Sequence, residues 1–258
     1  MSQVSKGGQA ASPREGGAEG PGAGRDEGGA TRPQVRVQIA GLSDPDDVQF
    51  AFAAGAHAVG FTVGLPGGPH DGLTEQRVGE IVRALPPFAA TVLITYESGF
   101  DGLLELLLRC RTPILQPHGK HDPEVLLRLR RRLPHLKIIK SVNVPQGGTA
   151  EAVIREAAEW EGIADAILLD SVDPVTGKLG ATGRTHDWSI SRQVVEALHL
   201  PAILAGGLNP ANVADAIDAV RPWGVDVHTG VEVQGVLDRS LLARFIRSAL
   251  AAGGSPRS

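Results

Sequence analysis

Short apolar runs alternate with helical patterns along the chain from residue 34 onward. Eight of these runs have the length and the β-branched composition of buried strands. They are Val35–Ala40, Ala56–Val63, Ala90–Thr95, Pro113–Gln116, Lys137–Val142, Ala164–Asp170, Pro201–Ala205 and Val225–His228. The intervening segments carry the 3.6-residue apolar spacing of helices, and some begin after residues that can cap a helix, such as Ser43-Asp44 and Thr74. Examples are Pro45–Ala54, Thr74–Leu85, Ala150–Trp160, Pro210–Val220 and Leu241–Ala251.

Eight strand–helix units in succession predict an α/β fold in which one parallel sheet closes into a single (β/α)8 TIM barrel over residues 34–251. A doubly wound open sheet is the alternative. The near-equal size of the units, without a second domain, favours the closed barrel.

The two ends of the chain differ from the barrel region. Residues 1–33 are dominated by Gly, Ala, Ser, Glu, Arg and Pro, and they can bury too little apolar surface to offset the entropy of ordering. We therefore expect a disordered tail there and a short disordered end over 252–258. An inert extension is favoured over a regulatory or interaction tail.

Composition narrows the class of partner. Aromatic residues make up only 4% of the chain and the net charge is −4, which argues against a nucleic-acid surface. No apolar run reaches the ~18 residues of a membrane span, and the N-terminus lacks an apolar signal core. We expect a cytoplasmic protein with no nucleic-acid or membrane partner. The single cysteine, Cys110, excludes a disulfide within the chain and predicts a buried, inert thiol.

In a (β/α)8 barrel the chemistry lies where strands run into the following loops, and this rule selects candidates at three strand ends. Gly206-Gly207 follows the seventh strand and Thr229-Gly230 follows the eighth. Glycines there let the backbone approach a ligand, so the pair of turns predicts a phosphate site, unless the glycines only turn the chain. Asp170 ends the sixth strand, which puts a carboxylate at the rim, although a cap would also explain it.

Several blocks in order along residues 35–250 resemble the phosphoribosylanthranilate isomerase family of tryptophan biosynthesis. They are Leu168-Leu169-Asp170-Ser171, the loop from Gly180 to Trp188, Ala205-Gly206-Gly207-Leu208-Asn209-Pro210 and Thr229-Gly230-Val231-Glu232, with Leu115-Gln116-Pro117-His118-Gly119 before them. The resemblance implies a barrel and a phosphorylated ribose-type substrate. It also implies a cofactor-free Amadori rearrangement, an aldose–ketose isomerisation, without a metal. Asp170 would be the general acid, and the phosphate would lie among Gly183, Gly206, Gly207, Thr229 and Gly230.

The departures from the family pattern fall on the catalytic side. Ala40 stands where the family has its base cysteine, Gln38 stands for a lysine, and His70 takes the place of an arginine that holds the anthranilate portion. His186 replaces a phenylalanine, and His228 replaces a small hydroxyl residue.

His228 is the candidate for a relocated base. Strand eight neighbours strand one in a closed barrel, so this histidine would lie beside Ala40, and histidine as a residue type is suited to proton transfer near neutral pH. A structural hydrogen-bond donor is the alternative. His118 belongs to a family block and is expected to be structural or adjacent to substrate. A metal site would need His70, His228 and Asp170 to converge, and we do not expect one.

Three functions remain open from the sequence. The first is an isomerase acting on a phosphoribosyl amine, with the anthranilate derivative as the default substrate. The second is a paralogue that acts on another phosphorylated sugar with a relocated histidine base. The third is a non-catalytic phosphosugar-binding protein.

Overall fold

The computed structural model describes residues 34–64, 73–171 and 185–253. Eight parallel strands form a closed barrel in the order β1 to β8. They are β1 (Arg36–Ile39), β2 (Ala58–Thr62), β3 (Ala90–Thr95), β4 (Ile114–Pro117), β5 (Lys137–Val144), β6 (Ala166–Ser171), β7 (Ala202–Leu204) and β8 (Gly224–Val227). Strand β8 pairs with β1 in the register Ile39↔Val227, which closes the sheet. The predicted barrel is confirmed, and the open sheet is excluded.

Eight helices surround the barrel within the described residues. They are α1 (Pro45–Ala53), α2 (Glu75–Ala84), α3 (Phe100–Cys110), α4 (Pro123–Arg132), α5 (Ala150–Ala158), α6 (Trp188–Ala197), α7 (Val213–Val220) and α8 (Arg239–Gly253). The predicted caps are present: the Asp44 carboxylate accepts from the backbone of Asp46 at 2.8 Å, and the Thr74 hydroxyl accepts from the backbone of Arg77 at 3.2 Å.

Two helices begin two or more residues away from the predicted start. Helix α7 begins at Val213 rather than Pro210, because the preceding residues form a hydrogen-bonded loop in which the Asn212 amide donates to the Gly207 carbonyl at 3.0 Å. Helix α8 begins at Arg239, because the Asp238 carboxylate accepts from the backbone N–H groups of Ser240 and Leu241. Between β8 and α8 lie a single 3-10 turn and a two-stranded hairpin, β9 (Glu232–Val233) and β10 (Val236–Leu237).

The core has an outer and an inner part. Outward-facing strand residues such as Phe61, Leu93 and Leu169 pack against the helices in one large cluster. The barrel interior holds smaller clusters, which include Leu168 with Ile203 and Val92 with Ile94. Toward the carboxyl ends of the strands, buried polar side chains replace these apolar layers. The barrel interior is therefore apolar toward the amino ends of the strands and polar toward their carboxyl ends, at the mouth.

Three further expectations concern the cysteine, membrane-spanning helices and the two ends of the chain. Cys110 is buried, as predicted, and burial raises the pKa of its thiol to about 12, which disfavours the reactive thiolate. In the ranges that the structure describes, no helix is both long and apolar enough to cross a membrane. The predicted disordered ends, 1–33 and 252–258, lie wholly or mostly outside the described residues, and both stay predictions.

Candidate active site

The candidate residues at the ends of β6, β7 and β8 meet at the mouth of the barrel. Among the residues bordering one small cavity of about 40 Å³ are Asp170, Gly206, Gly207, Asp226, His228, Thr229 and Gly230. Three separate strand ends thus contribute to one space. Two predicted site residues, His70 and Gly183, lie outside the described residues.

Asp170 is the buried carboxyl of this cavity. It is 5% exposed at the end of β6, and the backbone N–H of Ser171 donates to its Oδ1 at 2.7 Å. Burial raises the pKa of Asp170 to about 6, against the opposing effect of that hydrogen bond. A carboxyl with such a pKa carries an appreciable fraction of protonated acid near neutrality, which suits proton donation.

The loops after β7 and β8 depend on glycine for their approach to the cavity. Gly206 and Gly207 adopt φ of +80° and +65°, in the left-handed region that side chains disfavour. A Cβ at Gly206 would overlap Ser171, and a Cβ at Gly230 would overlap the carbonyl oxygen of Leu208. Both loops border the cavity, and glycine at these two positions lets them pack closely against Ser171 and Leu208.

His228 lies beside Ala40, as the barrel closure predicts. Its ring rests against Gly41, where even a Cβ would overlap the imidazole. Its Nε2 is 3.2 Å from Glu232 Oε1, and the side chain is 36% exposed. Ala40 and His228 both border a second cavity of about 210 Å³ between the β1 and β8 loops. His228 therefore borders both cavities.

Ala40 itself supplies no chemistry. Its methyl group is 7% exposed and packs with Val92 and Ile94 inside the barrel. A methyl group has no lone pair or titratable proton, so any base must come from a neighbouring strand.

The sequence analysis missed Asp226. It is 8% exposed in β8, and its Oδ1 has no hydrogen-bond partner among the described residues. Burial and the nearby Asp170 carboxyl raise the pKa of Asp226 to about 7, while the Gln38 side chain opposes this rise. The signal was present, because Asp226 sits in an apolar run near a strand end, as Asp170 does.

A chain of neutral polar side chains runs across the mouth from Gln38 on β1, the cross-strand neighbour of Asp226, to the residues at the end of β4. The Gln38 amide donates to the Gln116 carbonyl oxygen at 2.7 Å, and the Gln116 amide lies 3.0 Å from His118 Nε2. Burial lowers the pKa of His118 to about 4, with a smaller contribution from Lys140. His118 is therefore uncharged near neutral pH, and its contact fixes the orientation of Gln116.

His186 has a structural position. Its Nδ1 lies 3.0 Å from the Ser171 hydroxyl and its Nε2 lies 2.6 Å from the Ser191 hydroxyl, so it ties the end of β6 to α6. Burial lowers the pKa of His186 to about 4. This neutral histidine holds Ser171, the residue that follows Asp170 and packs against Gly206.

A larger groove lies behind the mouth. Its volume is about 570 Å³, and Asn209, Arg244 and Arg247 border it between the start of α7 and α8. It shares Gly230 with the small cavity but contains neither Asp170 nor His228. The groove is therefore separate from the titratable groups of the mouth.

Comparison with known proteins agrees with this arrangement. The family model of N-(5'-phosphoribosyl)anthranilate isomerase matches residues 37–248. The chain belongs to this family. Among its relatives is the N-(5'-phosphoribosyl)anthranilate isomerase of Methanothrix thermoacetophila, 39% identical over 213 residues that cover 83% of this chain and 97% of the relative. That of Methanocella arvoryzae is 38% identical over 200 residues, which cover 78% and 90%.

Solved structures of the family share the fold. The phosphoribosylanthranilate isomerase of Thermotoga maritima superposes with a TM-score of 0.71 at 31% identity, covering 83% of this chain and 98% of its own. A phosphoribosylanthranilate isomerase in complex with reduced 1-(o-carboxyphenylamino)-1-deoxyribulose 5-phosphate has a TM-score of 0.69 at 30% identity, with the same coverage. The resemblance drawn from the sequence blocks is confirmed.

Proposed function

We propose that this protein catalyses a cofactor-free Amadori isomerisation of a phosphoribosyl amine, with N-(5-phosphoribosyl)anthranilate as the default substrate. The observation that carries the proposal is the buried, raised-pKa carboxyl of Asp170 in one cavity with the glycine loops of β7 and β8. Family membership supports the reaction, and the ligand of the related complex is a phosphorylated ribulose derivative. The proposed setting is the cytoplasm.

The substrate phosphate is proposed to bind at the glycine loops. Backbone N–H groups of Gly206-Gly207 and Thr229-Gly230 would donate to it, with help from Gly183. His70 would contact the portion attached to the ribosyl nitrogen. Anchoring the phosphate between β7 and β8 would place the sugar ring over the cavity that holds Asp170.

Asp170 is the proposed general acid. It gives its proton to the ring oxygen while the bond between that oxygen and C1 breaks, and the nitrogen lone pair forms the C1=N bond. The open-chain product is an iminium cation beside the new carboxylate. A general acid of this kind contributes about 10²–10⁴-fold to the rate.

His228 is the proposed general base. It removes the proton from C2, and the C–H electron pair forms the C1=C2 bond while the nitrogen recovers its lone pair. The neighbouring Glu232 carboxylate, 3.2 Å away, favours the imidazolium that results. Reprotonation at C1 and loss of the enol proton then give the ketose.

Two other functions keep specific support. A paralogue acting on another phosphorylated sugar is favoured by Ala40 and by Gly67-Gly68-Pro69-His70, which replaces the family segment that holds the anthranilate portion. A non-catalytic phosphosugar-binding protein would need only the glycine loops.

A turnover assay separates these functions. Purified protein and its Ala40→Cys variant are mixed with N-(5-phosphoribosyl)anthranilate, and the loss of substrate fluorescence is followed. Turnover by the wild type supports the isomerase. Turnover only by Ala40→Cys indicates a paralogue with a retained site, and turnover by neither, with ribose phosphate still bound, indicates a binding protein.

A further inference from the structure

Asp226 is a second buried carboxyl in the cavity of Asp170, and the acid step described above uses only one of them. Both border the cavity together with the glycine loops. The Oδ1 atom of Asp226 is buried and has no partner among the described residues. Buried polar atoms in native proteins are almost always hydrogen-bonded, so an exception calls for an explanation.

Among the described residues that border its cavity, Asp226 has no lysine or arginine beside it. Strand β1 places the neutral Gln38 directly opposite Asp226 in the sheet register, and the segment after β7 contributes only the uncharged residues Ala205, Gly206, Gly207 and Leu208 to the cavity.

The titratable groups that face this region come from four strand ends. They are Asp170 of β6, Tyr96 after β3, His118 after β4, and His228 directly after β8, the strand of Asp226. His118 is uncharged because burial lowers its pKa to about 4. The Asp170 carboxyl acts on Tyr96, raising its pKa, and on Asp226. The two aspartates therefore dominate the charge at the centre of the mouth.

Two buried carboxyls that share a small cavity resist ionising together, and their protons leave in two steps that belong to the pair. Burial raises the pKa of Asp170 to about 6, and burial together with Asp170 raises that of Asp226 to about 7. The second ionisation of the pair thus falls near neutral pH.

We propose that Asp170 and Asp226 act as a carboxyl pair that retains one proton until substrate binds, with Asp226 as the positioning residue that keeps Asp170 protonated. The inference rests on the proposed isomerisation. Ring opening transfers this one proton to the ring oxygen and leaves two carboxylates facing the newly formed iminium cation. When the enol becomes the ketone, its O–H proton returns to the pair, and the base gives its proton to C1.

Asp226→Asn tests the pair through the pH profile of kcat. The wild type should lose activity above about pH 7, where the pair releases its proton, whereas the variant should lose it above about pH 6, where Asp170 alone ionises. Relative to its own maximum, the variant should be about ten-fold less active than the wild type at pH 8. A role of Asp226 in packing alone would lower kcat without moving this limb, and an unmoved limb overturns the proposal.

Thermal melting between pH 5 and pH 8 tests the same pair without any activity. A carboxyl whose folded pKa is raised binds more protons in the folded than in the unfolded chain, so its contribution to stability falls as the pH rises through that window. The melting temperature of the wild type should therefore fall relative to Asp226→Asn as the pH rises. Parallel melting curves against pH would contradict the pair.

Glu156→Gln is the matched control, because it makes the same carboxyl-to-amide change on α5, beside Lys140 and outside the cavity. It should leave unchanged the pH above which kcat falls. If that pH moves equally in both variants, the result counts against the pair. If the wild type does not turn over phosphoribosylanthranilate, the proposed function fails, and the melting comparison still decides whether the pair holds a proton.

Discussion

The phosphate side and the base side of the barrel mouth differ in how much of the family pattern they retain. On the phosphate side, the loops of β7 and β8 keep glycines whose replacement would drive a side chain into Ser171 or the Leu208 carbonyl. On the base side, Ala40 packs as an ordinary apolar residue, and a histidine from the next strand reaches the same cavity. The difference indicates that the glycine loops proposed to bind phosphate and the residue proposed to move the proton can change independently in this fold.

The Asp170→Asn variant should show the largest effect, because it removes the proton donor and leaves the phosphate loops intact. Turnover of the true substrate should fall by about 10²–10⁴-fold, with little change in the affinity for ribose 5-phosphate. Steady-state kinetics and calorimetry measure the two quantities separately. A loss of affinity as large as the loss of turnover would mean that the two sides of the mouth are not separable.

Gly207→Val should have the opposite effect, because it should weaken the binding of ribose 5-phosphate and leave the proton donor in place. Valine is strained at φ of +65°, and its side chain would force the loop away from the phosphate, so affinity for ribose 5-phosphate should fall by about ten-fold or more. Thr229→Ala is the matched control, since the neighbouring loop is proposed to bind phosphate through its backbone. It should lower the affinity for ribose 5-phosphate less than Gly207→Val does. Calorimetry that finds equal affinity in Gly207→Val and the wild type would count against the site.

His186→Phe should act mainly on stability. It leaves the hydroxyls of Ser171 and Ser191 without their partner, at a cost of about 1–3 kcal/mol near pH 7. Because the folded pKa of His186 is about 4 against 6.5 when unfolded, its neutral form stabilises the fold above pH 6.5, and this is lost as the pH falls toward 4. Chemical denaturation should therefore show the gap between variant and wild type narrowing in acid. A gap that stays constant with pH would contradict the neutral, buried histidine.

The barrel was predictable because its signal is repeated eight times along the chain. Local patterns of apolar runs and caps suffice for this, since each unit carries the same information. The start of α7 was misplaced because a side-chain-bonded loop after Gly207 competes with the helix, and such bonds leave little trace in periodicity.

The site was only partly predictable. Asp170 and the glycine loops follow from the rule that barrel chemistry lies at strand ends. Asp226 was missed because its importance depends on what surrounds it: a neutral Gln38 opposite, Asp170 across the cavity and an oxygen without a partner. The sequence identifies His186 only as a departure from the family pattern, whereas its two serine contacts show that it connects β6 to α6. Contacts between residues on different strands cannot be inferred from the spacing of residues within one strand.

The most direct test of the relocated base is the activity of His228→Ala with and without Ala40→Cys. The account predicts that His228→Ala lowers turnover of the true substrate by about 10²–10⁴-fold while ribose 5-phosphate still binds. It also predicts that adding Ala40→Cys to that variant restores much of the activity, because the thiol would occupy the adjoining position on β1. Full activity in His228→Ala would contradict the account and place the base elsewhere, with His70 as the next candidate.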